Sequence, residues 1–159
     1  MNIYLDIDGV LLVKGGTLAN HFDEFLEFFV ENHNVFWLTT HCHGGENRAI
    51  GHISQKNVVS EKSLALLGGI KPTEWNVWKT DGIDFSQNFI WLDDYVFDGE
   101  KNILTEQKCL NSFIEINLGE KPEQLFAVMM QFRNSSHDPY ATNRDDLAEV
   151  SVSHNQKGV

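Results

Sequence analysis

Three apolar runs in this chain end in side chains that can do chemistry. In residues 4–10 (YLDIDGV), Asp6 and Asp8 stand at alternate positions ahead of Gly9. Thr39 and Thr40 close residues 34–40 (NVFWLTT), and Asp93 and Asp94 close residues 88–94 (NFIWLDD), with Lys79 in the segment leading into that last run. Aspartates that follow strands often do no more than fill turns or cap helices. If these runs are neighbouring strands of a parallel sheet, however, their ends meet at the rim where such sheets bind ligands. Two carboxylates at about 4 Å repel by roughly 4 kcal/mol at an effective dielectric near ~20, so a rim that gathers several needs a cation. Oxygen-only donors favour Mg2+, which takes a few carboxylates, retained waters and a substrate phosphate.

The elements that would bring these ends together are legible as an alternation. Ile3, Tyr4 and Leu5 form a short apolar strand. Residues 18–32 then place Phe22, Phe25, Leu26, Phe29 and Val30 at helical spacing. NVFWLTT is a continuous β-prone run of the kind buried on both faces of a sheet. GGENRAIGHISQ (44–55) predicts a second helix. SEKSLALLGGI (60–70) predicts a third, with Ser60 as N-cap and Gly68-Gly69 as its stop. NFIWLDD is the next strand, a helix is expected over 99–109, and SFIEINL (112–118) is a fourth strand candidate. KPEQLFAVMMQFR (121–133) predicts a closing helix with Pro122 in its first turn. Strands and helices in this order imply an α/β protein, a three-layer Rossmann-like sandwich around a mostly parallel sheet. We expect one domain over 1–133 and a polar tail over 134–159, in which residues 147–152 alternate as an added edge strand would.

Composition bounds the partners. The 159 residues carry a formal charge of -11, and a surface that negative repels extended polyanions and anionic lipid. A local pocket can still take one phosphate group, because net charge describes the whole surface and not the site. Extended nucleic-acid binding is therefore not expected, nor a membrane partner, since no apolar stretch approaches the roughly 18 residues of a bilayer crossing. The amino terminus shows no basic-then-apolar leader pattern, so a cytoplasmic location is expected. Cys42 and Cys109 are the only cysteines and form no CxxC pair, which points to reduced thiols and not to a disulfide framework.

With those residues on the page, the chain resembles the haloacid dehalogenase (HAD) superfamily of phosphatases. Its first motif, DxDG behind apolar residues, is matched by Leu5-Asp6-Ile7-Asp8-Gly9-Val10. Its second, an apolar strand ending in Thr or Ser, is matched by Val35-Phe36-Trp37-Leu38-Thr39. A lysine and then Ile90-Trp91-Leu92-Asp93-Asp94 complete the set over roughly the first 100 residues. WLTT and WLDD are most similar to a small bacterial group whose HAD domain also occurs in RNA-repair proteins, which is a fold-level analogy.

The resemblance implies a Mg2+-dependent phosphomonoester hydrolase. Asp6 would be the nucleophile, and Asp8 the acid that protonates the leaving oxygen and the base that activates water. Thr39, Thr40, Lys79 and the amides around Gly9 would hold the phosphate. Asp6, Asp94 and the backbone carbonyl of Asp8 would hold the metal, with Asp93 orienting water or the lysine. Lys71 competes with Lys79, but the resemblance places a WKT-like step shortly before the acidic strand, and Pro72 puts Lys71 in an extended context. The intervals from Asp8 to Thr39 and from Thr40 to Lys79 leave no room for a cap domain. Such an open site suits a phosphorylated small molecule or the terminal phosphate of a larger substrate, nucleic-acid ends included. A module that binds phosphate or Mg2+ without turnover is the alternative of a different class.

Other residues have competing readings. His41-Cys42-His43 offers soft ligands, but adjacent residues rarely aim at one ion, so we expect it to line the pocket behind Thr39 and Thr40, with His41 within reach of substrate. Asp98 is either an additional acid, as in some superfamily members, or an N-cap. Trp37, Trp75, Trp78 and Trp91 are expected in the core.

Overall fold

The computed structural model describes residues 1–45 and 47–135, without the side chains of 43–45 and 135. The segment 147–152, read as an edge strand, lies outside the described residues. Five strands, β1 (Asn2–Leu5), β2 (Asn34–Trp37), β3 (Lys71–Pro72), β4 (Phe89–Asp93) and β5 (Phe113–Glu115), form one sheet in the order β3-β2-β1-β4-β5, and all four pairings are parallel. The helices are α1 (Phe22–Asn32), α2 (Ala49–Ser54), α3 (Glu61–Gly69), α4 (Asp98–Glu106) and α5 (Gln124–Ser135), with short 3-10 turns at Thr40–Gly45, Lys79–Gly82 and Leu110–Ser112. The protein is a Rossmann-like α/β fold.

Two apolar clusters on opposite faces of the sheet explain why the strands read as continuous apolar runs. Ile3, Leu5, Trp37, Ile90 and Leu92 pack with Phe22, Phe25, Leu26 and Phe29 of α1, Leu67 of α3 and Leu125, Val128, Met129 and Phe132 of α5. Tyr4 and Trp91 turn the other way, against Leu38, Ile83, Val96 and Leu104 of α4. The apolar stripes of α1 and α5 follow the helical period, as a helix with one face on a sheet requires. Fully burying each such side chain stabilises the fold by about 1.5–3 kcal/mol. Among the described residues no helix is long and apolar enough to cross a membrane.

Several boundaries differ from the sequence reading. Helix α1 begins at Phe22, not Leu18, because His21 sits at a positive φ of 61° and its ring is held by Glu123. The single helix expected over 44–55 is a 3-10 turn followed by the short α2. Ser60 does cap α3, accepting from the Ser63 amide at 3.1 Å, but Gly68 and Gly69 lie within the helix. Pro122 precedes α5 instead of opening its first turn. Strand β3 is an addition. Its two residues pair with Phe36 and Trp37 at the sheet edge, where a proline is tolerated.

The strand order decides what the rim can do. After β1 the chain runs outward through β2 to β3, then crosses back to lay β4 on the other side of β1. The crevice at such a reversal, beyond the carboxyl ends of the strands, is where open α/β sheets hold ligands. Leu5 is in register with both Trp37 and Leu92, so Asp6, Leu38 and Asp93 occupy the next rung of three adjacent strands.

Candidate active site

At that rung Asp6 is buried and Asp93 is 1% exposed, and Thr39, one position past Leu38, is buried as well. One carboxylate oxygen from each of Asp6, Asp93 and Asp94 lies within 4.8 Å of the others. The Lys79 Nζ enters this group from the 3-10 turn before β4, 2.6 Å from Asp93 Oδ2 and 3.3 Å from Asp6 Oδ2. Lys71 is exposed on edge strand β3. The structure therefore brings Lys79, and not Lys71, to the acids.

Lys79 is held by residues that carried no sequence signal. The buried Glu100 of α4 accepts from the Lys79 amide at 2.9 Å through Oε1 and from the Phe97 amide at 3.0 Å through Oε2. The Asp81 carboxylate accepts from the amides of Val77 and Trp78 at 3.2 Å each, which closes the turn that carries the lysine. Asp93 is fixed in turn by Trp91, whose Nε1 donates to Oδ2 at 3.0 Å. A buried charge needs such complete hydrogen bonding to be tolerated.

The charges do not balance. Burial, and then the Asp6 carboxylate beside it, push the Asp93 carboxyl up to about 7. Partial burial and Asp6 likewise raise Asp94. Burial of Lys79 works against its charge, but Asp6 and Asp93 together outweigh it and hold the ammonium protonated above its ordinary range. Three carboxylates thus share one fixed cation, and a divalent ion would supply the missing positive charge. The donor set is oxygen-only, which fits Mg2+.

Gly9 makes room for this arrangement. Its φ is +79°, and a Cβ there would collide with the Asp94 carboxylate. Only glycine adopts that backbone without strain while letting the side chain of another strand approach. Its amide, expected to bind phosphate, is already donated to Leu12 O at 2.8 Å; Gly9 contributes space and not a free donor. Thr39 sits at the end of β2 with its hydroxyl 3.5 Å from the His41 amide, and Thr40 is exposed.

Asp8 occupies a different environment. Its side chain is 58% exposed, and both of its oxygens accept hydrogen bonds, Oδ2 from His41 Nε2 and Oδ1 from His52 Nε2, each at 2.8 Å. Partial burial would raise the Asp8 carboxyl, but the bonds from His52 and His41 outweigh it and hold it below the ordinary carboxylate range. His41, expected to line the pocket within reach of substrate, contacts Asp8. His52 was missed: a histidine on a short helix carries no local mark of a partner on β1's loop. Cys42 is buried in the core, and the side chain of His43 lies outside the described residues.

No family model, curated protein or solved structure matches the chain. The assignment of roles therefore stands on this geometry. Asp98, the first residue of α4, has a fully exposed side chain 4.0 Å from Lys101, neither capping the helix nor among the clustered acids. Trp37 and Trp91 are core residues, whereas Trp78 is half-buried against Phe97 beside the lysine turn.

Proposed function

We propose that the protein is a Mg2+-dependent phosphomonoester hydrolase of the HAD type that works through an aspartyl-phosphate. The observation that carries this reading is the position of Lys79, shared between Asp6 and Asp93 at the sheet's reversal point, with Asp94 beside them. A nucleophilic carboxylate next to a fixed ammonium and a further acid pair is what transfer of a phosphoryl dianion requires.

Mg2+ bound by the carboxylates of Asp6 and Asp94 and the Asp8 carbonyl would shield the nucleophile from the phosphate and offset charge in the transition state. The protein's own groups do the rest. An Asp6 oxygen attacks phosphorus, and the bond from phosphorus to the leaving oxygen breaks as Asp8 delivers a proton to that oxygen. In the second half Asp8, now a carboxylate, takes a proton from water; the water oxygen attacks phosphorus, and the bond to Asp6 breaks to release phosphate. Lys79 and the Thr39 hydroxyl hold the phosphoryl oxygens. Asp93 keeps Lys79 aimed.

Among the described residues, the interval from Asp8 to Thr39 holds a loop and α1, and that from Thr40 to Lys79 holds α2, α3 and β3. This supports a capless site open to a phosphorylated small molecule or a terminal phosphate. The test is release of inorganic phosphate from a panel of aryl phosphates, phosphorylated metabolites, nucleotides and end-phosphorylated oligonucleotides. Turnover that needs Mg2+ and stops in EDTA is expected. Binding across the panel without turnover would instead make the chain a phosphate-binding module.

A further inference from the structure

The two histidines on Asp8 are more than the phosphatase reading requires. They come from different elements, His41 from the 3-10 turn after β2 and His52 from α2, yet their rings stack with centroids 3.6 Å apart and planes 20° from parallel. Each Nε2 reaches a different oxygen of one carboxylate.

That geometry discriminates between a metal site and a hydrogen-bonded fork. The lone pair of an imidazole nitrogen lies in the ring plane, so two stacked rings direct their lone pairs within separate, nearly parallel planes, and one ion would sit out of plane for at least one of them. N–H donors on parallel rings meet the two side-by-side oxygens of a carboxylate without that conflict. An ionised carboxylate only accepts, so both Nε2 atoms carry hydrogen. Each oxygen that accepts from a histidine keeps a second lone pair, so the gripped carboxylate can still take a proton from water while its position is fixed.

We propose that His41 and His52 are positioning residues that hold Asp8 in place as the carboxylate that activates water in the second half of the cycle. The proposal rests on the phosphatase reading. Without the fork, a side chain as exposed as Asp8 is free to visit other rotamers and is in place for only part of the time. Misplacement of a reacting group by about 1 Å can cost on the order of 100-fold. The loss should fall on breakdown of the phosphoenzyme and spare its formation when the leaving group needs no proton.

The experiment uses the full chain, Mg2+ and an aryl phosphate with a good leaving group, read by rapid quench. In the His41→Ala/His52→Ala protein, the burst of phenolate release should match that of the wild type, steady turnover should fall roughly 10- to 100-fold, and acid-quenched protein should carry near-stoichiometric phosphate. Glutamine at either position, which keeps a donor, should recover part of the rate. In an Asp8→Asn background the histidine substitutions should change nothing further. Phosphoenzyme breakdown at the wild-type rate in the double variant would overturn the proposal while leaving the phosphatase reading intact. Equal loss of burst, turnover and Mg2+ affinity would also overturn it, as would Zn2+ binding that is abolished with the two rings. Absence of turnover and of phosphoenzyme in the wild type would sink the phosphatase reading itself, and this inference with it.

Discussion

Asp6 and Asp8 are two positions apart on one loop, yet their surroundings are opposite in kind. Asp6 is buried among two further acids and shares a single lysine with Asp93. Asp8 is exposed and receives two imidazole N–H groups with no competing carboxylate in its cluster. The first environment is buried and has more negative charge than it can neutralise, and burial first, then Asp6, drive Asp93 up to about 7. The second has enough donors to hold its one carboxylate ionised. One site can therefore present a carboxylate that waits for a cation next to another that is already satisfied. In the proposed cycle it is environment, and not residue type, that would separate the nucleophile from the base.

The largest effects should come from the buried side. Asp6→Asn removes the proposed nucleophile, and turnover should fall at least roughly 1,000-fold, measured as phosphate release at saturating Mg2+. Lys79→Met leaves two buried carboxylates without their cation. We expect loss of turnover of similar size and a loss of about 3 kcal/mol in stability, measured by urea unfolding without metal. If both variants kept their activity, the buried cluster would be structural only.

Of these contrasts, the aspartates were legible in the sequence because they sit at or just past the ends of apolar runs, where the strand pattern itself fixes their address. Choosing Lys79 over Lys71 drew on the WKT-like step that the resemblance places before the acidic strand, and on Pro72, which marks Lys71 as extended chain. The parallel direction of the strands followed from their alternation with helices, but their order in the sheet did not, nor did β3, because two residues are too few to show a period. His52, Glu100 and Asp81 carried no signal at all. The roles of His52 and Glu100 are set by partners on β1's loop and on the lysine turn, and a tertiary contact of that kind leaves no spacing rule behind, whereas Asp81 closes its own turn. The bond from the Gly9 amide to Leu12, within the loop's own turn, was not read from the sequence either.

Smaller effects sharpen the comparison. Gly9→Ala forces a Cβ into the Asp94 carboxylate at a backbone angle that suits glycine. It should weaken Mg2+ roughly tenfold or more by displacing a ligand and cost about 1–2 kcal/mol, read by metal titration and thermal unfolding. The pH dependence of the metal-free protein should run in opposite senses for the two regions. The folded carboxyl of Asp93 titrates above its unfolded value, so its contribution to stability is complete below about 4 and is lost as the pH rises toward about 7. Asp8 is lowered, so its contribution is present above its ordinary range and is lost as the pH falls below it. At pH 7, Mg2+ at about ten times its Kd should add roughly 1.4 kcal/mol and raise Tm by about 3–5 °C. That rise should shrink at pH 5, where protons replace the cation, as scanning calorimetry at the two pH values would show.

The central claim is that Asp6 carries the phosphoryl group. Acid-quenched wild-type protein, mixed with Mg2+ and a reactive aryl phosphate, should gain the mass of one phosphoryl group on the peptide that contains Asp6, and the Asp6→Asn protein should gain none. Phosphate release that proceeds undiminished in Asp6→Asn, or a phosphorylated residue anywhere else in the chain, would contradict it.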